Sequence, residues 1–128
     1  MVRTDTRVVG ADAENIAFRY LKRQGLIPVR RNFQCRLGEL DLIMQDERCL
    51  VIVEVRFRGS NSFVAAGLTV DSRKQQKIIR TTAMFLAWNE RFANSPVRFD
   101  VLGINADVHG DTTIEWMSDA FRPTDSKF

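Results

Sequence analysis

The sequence predicts an α/β fold in which helices flank a central mixed β-sheet, in the order αβββαβ. Two segments place apolar residues at helical spacing, and the segments between them are short, apolar and rich in β-branched residues. The chain has 128 residues, of which 45% are apolar and 27% charged. This length and composition predict one globular domain over residues 1–128, with a loose polar tail from about residue 118.

The first helix is predicted over residues 11–24, and Gly25 ends it. Its apolar stripe consists of Ala13, Ala17, Tyr20 and Leu21. A strand is predicted next over residues 26–33. Pro28 has no N–H group to donate to a neighbouring strand, so this strand is expected at a sheet edge.

Residues 37–44 and 50–57 are predicted to form a central hairpin. The second of these strands carries apolar residues on both faces, which is typical of a strand in the interior of a sheet. The polar segment between the two strands is short enough for a tight connection.

A Gly- and Ser-containing loop is predicted over residues 58–70, and a second helix over residues 72–91. Asp71 or Ser72 can cap this helix. Its predicted core stripe is Ile78, Ile79, Ala83, Phe85 and Leu86.

A strand is predicted over residues 97–105, and a short last strand over residues 112–117. A strand followed by a helix and another strand is usually a right-handed parallel crossover. The strand over residues 97–105 is therefore expected to lie parallel to the second strand of the hairpin.

The predicted hairpin carries charges where a buried strand should be apolar. Glu39 and Asp41 are two residues apart, as are Glu54 and Arg56 on the next strand. Strict alternation puts the members of each pair on one face, with Glu39 and Asp41 about 7 Å apart. An unpaired buried carboxylate is costly, so such acids are expected to have a binding role.

The register of the hairpin decides which charges meet. A four-residue loop at residues 46–49 pairs Asp41 with Glu54, whereas a two-residue loop at residues 46–47 pairs Glu39 with Glu54. Like charges placed opposite each other are destabilising, which favours a bound cation. Oxygen ligands without His or Cys favour a hard ion, so we expect Mg²⁺ or Mn²⁺.

The charge distribution is compatible with a nucleic-acid partner. The net charge is +3 and the sequence pI is about 9.2. Up to residue 36, eight Lys or Arg residues accompany three acids, and a second basic cluster covers residues 73–80. The alternative explanation is a solvated surface. Two cysteines and a single histidine do not indicate a zinc site or a disulfide framework.

No apolar run approaches the roughly 20 residues of a membrane span. The first ten residues lack the apolar stretch of a signal peptide. The expected location is therefore the cytoplasm, with no membrane partner.

Several short motifs occur together in a characteristic order. They are Gly10-x-x-x-Glu14-x-x-Ala17-x-x-Tyr20-Leu21, Arg31-Asn32, Gly38-Glu39-Leu40-Asp41-Leu42-Ile43, Glu54-Val55-Arg56, Lys74-Gln75 and Arg98-Phe99-Asp100-Val101. In this order the chain resembles the YraN-like family of small bacterial proteins. That family is similar to the Holliday-junction resolvases and RecB-type domains of the PD-(D/E)xK nuclease superfamily.

The resemblance implies a restriction-endonuclease-like fold and a DNA nuclease, with branched or structured DNA as a substrate class. It implies Asp41 and Glu54 as metal ligands, assisted by Glu39 or Glu14. Glu14 is otherwise a first-turn acid that the helix dipole favours, and Glu39 is otherwise a partner of a nearby arginine. Resolvase-like enzymes act as dimers, so a homodimer is also implied.

Arg56 stands where the superfamily usually has lysine. An arginine stays protonated and cannot act as a general base, but it can bind or stabilise the phosphate. Lys74 or Lys77 could take over the role of that lysine. The candidate nucleic-acid-binding residues are Lys74, Gln75, Lys77, Arg58 and Arg36.

Two other functions fit the same residues. One is a nucleic-acid-binding module with a weakened or absent catalytic site. The other is a protein-interaction domain in which Asp41 and the other acids form an ion-pair network with Arg56.

Overall fold

A computed structural model describes residues 6–58, 70–106 and 109–123. The helices are α1 (Thr6–Arg23) and α2 (Ser72–Trp88), and a 3₁₀ helix covers Glu90–Phe92. The strands are β1 (Ile27–Cys35), β2 (Gly38–Asp46), β3 (Cys49–Arg58), β4 (Val97–Ala106) and β5 (Thr112–Phe121). The predicted order of elements is confirmed. The loop predicted over residues 58–70 lies mostly outside the described residues.

The five strands form one mixed sheet in the order β1-β2-β3-β4-β5. β3 and β4 are parallel, and the other neighbouring strands are antiparallel. β1 lies at a sheet edge and β3 lies in the middle, as Pro28 and the apolar faces of β3 predicted. Within the described residues, no helix is long and apolar enough to cross a membrane.

The two helices cover opposite faces of the sheet. Ala13, Ala17 and Leu21 of α1 pack in one core cluster with residues such as Leu42. Ile78, Ile79 and Phe85 of α2 pack in a second cluster with residues such as Leu40 and Phe33. The sheet therefore separates two cores, one that includes α1 and one that includes α2.

Helix α2 differs from the prediction at its end and in its core face. It ends at Trp88 instead of residue 91, and the Asn89 side-chain amide donates to the Phe85 carbonyl. Ala83 is exposed, whereas Thr81 and Thr82 are buried. Each threonine hydroxyl donates to the carbonyl four residues earlier, which satisfies its polar group inside the core.

Strand β5 continues to Phe121, beyond its predicted end at residue 117, so part of the segment predicted as a loose tail belongs to the sheet. The register between β4 and β5 shifts near Asp119, which has a positive φ of 55°. The buried Asp100 carboxylate accepts hydrogen bonds from the Asp119 N–H and from Trp116 Nε1. These bonds hold the irregular part of β5 on the sheet.

Gly38 brings the start of β2 against helix α2. Its φ is +154°, and a Cβ atom added there would lie 2.8 Å from Thr81 Oγ1. A real Cβ atom essentially never approaches a neighbour so closely. The tip of the β1–β2 hairpin therefore contacts α2 directly through glycine.

Gly38→Ala is expected to destabilise the protein by about 1–3 kcal/mol, because the added methyl group overlaps Thr81. Gly110→Ala is the matched control, since Gly110 also has a positive φ but nothing lies within 4 Å of an added Cβ. Chemical denaturation should show a larger loss for Gly38→Ala. Equal losses would contradict the overlap, as would failure of Thr81→Ala to recover part of the loss in a double variant.

Candidate functional site

The ladder between β2 and β3 opens at Asp41. Regular pairs run from Asp46↔Cys49 to Leu42↔Val53. In the next position Asp41 Oδ2 accepts a hydrogen bond from the Val55 backbone N–H at 2.9 Å. A side-chain oxygen thus satisfies a backbone donor where the two strands separate.

The register places Asp41 opposite Glu54, which is one of the two predicted pairings. Asp46 pairs with Cys49, so the connecting loop is shorter than the four residues that this pairing was predicted to need. The alternative register, with Glu39 opposite Glu54, is wrong.

The two residues that flank Asp41 in β2 lie on opposite faces of the sheet. Leu40 packs in the core under α2, whereas Leu42 packs in the core under α1. In a regular strand these residues would share one face. On β1, opposite this point, Asn32 has a positive φ of 52°. The strict alternation predicted for Glu39 and Asp41 therefore does not hold here.

Asp41 has a strongly raised pKa. Burial, followed by the nearby Glu54 carboxylate, raises the pKa of Asp41 to about 7. The hydrogen bond from Val55 opposes this rise, and Glu14 and Glu39 add to it. Asp41 therefore lies among three other acids and holds a proton more tightly than an ordinary aspartate.

Glu54 is compensated by a lysine from helix α2. Lys74 Nζ lies 3.2 Å from Glu54 Oε2, and the Glu54 side chain is only 12% exposed. The Lys74 backbone N–H donates to Asp71 Oδ1, which is the N-cap of α2. The cap and the ion pair thus fix the first turn of α2 next to the acids.

The two remaining acids approach from the hairpin and from α1. Burial raises the pKa of Glu14, while the Arg31 guanidinium and a hydrogen bond with the Asn32 side chain act in the opposite direction. Glu39 is exposed and accepts a hydrogen bond from Gln34 Nε2 at 3.3 Å. Both act on Asp41 through space, more weakly than Glu54.

Arg56 has unused hydrogen-bonding capacity. Its Nε atom is buried and has no hydrogen-bond partner among the described residues. Within those residues no ion pair joins Arg56 to Asp41, which is the contact that an ion-pair network requires. A buried, unsatisfied donor is costly unless a ligand completes it.

The predicted nucleic-acid-binding residues have different surroundings. Lys77 is exposed on α2, and Arg36 is exposed in the β1–β2 turn. Gln75 Nε2 donates to the Val70 carbonyl at 2.7 Å, so this amide fixes the entry to α2. The Arg58 side chain lies outside the described part of the protein.

A divalent cation fits the donor chemistry of this site only in part. Asp41 and Glu54 are oxygen donors that repel each other, as hard-cation ligands do. Among the described residues, however, no three His, Cys, Asp or Glu side chains are grouped closely enough to hold a metal ion. Lys74 supplies the positive charge next to Glu54 in this arrangement.

A second charged network was not predicted from the sequence, although Arg98 and Asp100 belong to one of the motifs noted above. Arg98 binds Asp100 through Nε at 3.1 Å and Asp46 through Nη1 at 3.0 Å. The side chain of Asp100 is completely buried, and its oxygens are satisfied by Arg98, Trp116 and Asp119. This network has the character of a structural ion pair, because its acceptors are already occupied.

Comparison with known proteins identifies the family. The model of the uncharacterised protein family UPF0102 matches residues 13–104. The chain belongs to the UPF0102 family. This is the YraN family, so the resemblance noted in the sequence is confirmed.

Three UPF0102 relatives illustrate the extent of the similarity. The protein of Saccharophagus degradans is 48% identical over 112 residues, covering 88% of this chain and 91% of its own length. The Alcanivorax borkumensis protein is 43% identical, with coverage of 88% and 90%. The Pseudomonas syringae pv. syringae protein is 38% identical over 121 residues, with coverage of 94% and 98%. The family-model match over residues 13–104 includes α2, most of α1 and the four acids of the site.

Asp41→Asn is expected to raise the melting temperature near pH 8 by at least about 3 °C in EDTA. The carboxyl titrates at about 7 when folded, against an ordinary value of 3.8. Between these two pH values, the folded state therefore binds more protons at this group than the unfolded state does. The stability of the wild-type protein should fall as the pH rises from the lower value to the higher. Asparagine keeps an acceptor for Val55 and has no proton to release, so this loss should largely disappear.

Asp46→Asn is the matched control on the same strand. It removes a carboxylate that is paired with Arg98, so it should not raise the melting temperature. Thermal melts at about pH 5 and pH 8 provide the measurement. An Asp41→Asn variant that melts below wild type at pH 8 would support an ion-pair network instead.

Proposed function

We propose that this UPF0102 protein is a metal-dependent nuclease that acts on DNA, with branched or structured DNA as its substrate. The observation that carries the proposal is the group of acids around Asp41, which the fold assembles at a cost in stability. Perturbed titratable groups of this kind are concentrated at functional sites.

The restriction-endonuclease-like fold is part of the same proposal. Its support is the order of elements, the mixed sheet with a parallel β3–β4 pair, and helices on both faces. Acids at the end of the central hairpin, with a helix next to them, are the arrangement that the sequence motifs imply. A cytoplasmic location and a homodimer remain predictions that accompany this function.

Asp41 and Glu54 would hold Mg²⁺ or Mn²⁺, and Glu39 or Glu14 would assist from the hairpin and from α1. A bound divalent cation would supply positive charge to the phosphate during hydrolysis. Asp41 would bind it as a carboxylate, which requires the proton held in the free protein to leave. Lys74 would move from Glu54 toward the phosphate.

Arg56 and Lys74 would stabilise negative charge on the scissile phosphate. The buried Arg56 Nε lacks an acceptor, and a phosphate oxygen is a suitable one. Lys74 is already positioned at Glu54, so it can fill the role that the superfamily lysine has on the strand. Lys74 contacts Glu54 from α2, and Arg56 follows Glu54 by two residues on β3.

The exposed face of α2 supports a nucleic-acid partner. Arg73, Lys77 and Arg80 are all exposed on this helix, close in sequence to Lys74. Basic side chains of this kind bind the phosphate backbone without reading its sequence. DNA binding should therefore weaken with rising salt.

A nucleic-acid-binding module without catalysis is the second candidate. The observation that favours it is the lack of a three-donor metal group among the described residues. In that case Lys74 and Glu54 remain paired, and the site binds a strand without cleaving it. Binding and cleavage have to be measured separately to distinguish the two functions.

Asp41→Ala and Glu54→Ala are each expected to abolish Mn²⁺ binding in calorimetry and Mg²⁺-dependent cleavage of branched DNA. Both variants remove one of the two carboxylates that would hold the ion. Glu47→Ala, in the exposed turn of the hairpin, is the control and should leave both measurements unchanged. Unaltered Mn²⁺ binding in both site variants would refute the metal assignment, and metal binding without cleavage would favour the binding module.

Arg56→Ala is expected to lower cleavage by at least about tenfold, because one charge-assisted contact to the phosphate is lost. Arg56→Lys keeps the positive charge and should retain most of the activity. Arg48→Ala, which removes an arginine from the hairpin turn, is the control. Full activity of Arg56→Ala on branched and single-stranded DNA would exclude Arg56 from the mechanism.

A further inference from the structure

A cavity of about 420 Å³ lies between the tip of the β1–β2 hairpin and the first turns of α2. Its side-chain lining consists of Gln34, Cys35, Glu39, Lys74, Lys77 and Ile78. Cavities of several hundred Å³ hold small organic ligands. Lys74 lines this cavity and also binds Glu54, so the cavity adjoins the acidic site.

A close backbone contact fixes the shape of the cavity. Gly38 also lines it, and its close approach to Thr81 fixes the hairpin tip against α2. Thr81 is itself buried and bonded to the Lys77 carbonyl. The two walls are therefore held at a set separation before any ligand arrives.

The lining has a positive side and a polar side. Lys74 and Lys77 are one helical turn apart on α2 and provide the two ammonium groups. Gln34 and Glu39 face them from the hairpin, joined by their own hydrogen bond. A phosphate group is attracted to the two lysines and repelled by Glu39. A ligand with a phosphate group should therefore bind with that group next to the lysines.

The remaining lining suits a nucleobase. Ile78 and Cys35 give an apolar surface for a ring, and Gln34 and Glu39 offer hydrogen-bonding groups to its edge. A nucleotide combines a ring with polar edges and a phosphate at one end. The cavity thus matches the chemistry of a nucleotide at both of its ends.

We propose that this cavity receives one unpaired nucleotide of the nucleic-acid strand that lies at the acidic site. The proposal deepens the nuclease function above and rests on it for the choice of ligand. A base in a duplex is stacked and paired, and it enters a side-chain pocket only after leaving the helix. The substrate class is therefore nucleic acid with a single-stranded segment, such as a flap, a branch or an open end.

The test uses the full-length protein in EDTA, so that no cleavage occurs and no metal is needed. Iodoacetamide modifies free thiols, and peptide mapping reads Cys35 and Cys49 separately; both are free and half-buried. A duplex with a single-stranded flap should slow the modification of Cys35 at least about threefold at saturation. A blunt duplex of the same length should not, and Cys49 is the internal control for both.

Lys77→Ala and Arg48→Ala provide the matched pair, because each removes one exposed cation and only Lys77 lines the cavity. Lys77→Ala should reduce flap binding and lower the magnitude of the log–log salt slope by about 0.7, the value for one single-strand phosphate contact. Arg48→Ala, in the exposed turn between β2 and β3, should preserve the protection of Cys35. Equal protection by flap and blunt duplex, or equal loss in the two variants, would overturn the proposal.

Protection of Cys35 and cleavage in Mg²⁺ test the cavity proposal and the nuclease proposal separately. Protection of Cys35 by the flap without any cleavage in Mg²⁺ keeps the cavity and refutes the nuclease. Cleavage in Mg²⁺ with no protection of Cys35 keeps the nuclease and refutes the cavity.

Discussion

The acidic site depends on the hydrogen bond from the Val55 N–H to the Asp41 carboxylate. At this point β2 no longer provides the partner that a regular ladder would, and a side chain takes its place. Leaving this partly buried N–H unsatisfied would cost up to about 1–3 kcal/mol, so the hydrogen bond holds Asp41 between the two strands. Its carboxylate is thereby placed beside Glu54 and cannot turn away to solvent, which is why burial and repulsion both act on it.

The surrounding charges are balanced by residues from different parts of the chain. Lys74 from α2 compensates Glu54, and Arg31 from β1 lies near Glu14 on α1. Each helix therefore contributes one member of a charged pair at the end of the central hairpin. The network of Arg98 with Asp46 and Asp100 differs from this site, because both oxygens of the buried Asp100 carboxylate already accept hydrogen bonds and the contacts join neighbouring strands.

The strands and the parallel pair could be predicted, because they follow from apolar runs, Pro28 and the order of strand, helix and strand. The opposition of Asp41 and Glu54 was one of two registers that the sequence allowed, and the spacing alone did not choose between them. The Lys74–Glu54 contact could not be derived from spacing, since it depends on where α2 settles on the sheet. The placement of Leu40 and Leu42 on opposite faces of the sheet could not be predicted either. The positive φ angle opposite this point belongs to Asn32 on the neighbouring strand β1. The burial of Thr81 depends on a hydroxyl bond to the preceding turn, which hydrophobic periodicity does not reveal.

Lys74 has one ammonium group. Under the proposed function, the Glu54 carboxylate and a phosphate would compete for it. In the free protein it neutralises Glu54, so a cation that approaches Glu54 must displace a charge that is already there. Under the proposed function, a phosphate that drew Lys74 away would leave Glu54 uncompensated and raise its affinity for a cation. By reciprocal linkage, a cation at Glu54 would release Lys74 and strengthen the binding of the phosphate by the same factor. The ion pair between α2 and β3 would then make the binding of the two ligands cooperative, and each ligand alone would bind weakly.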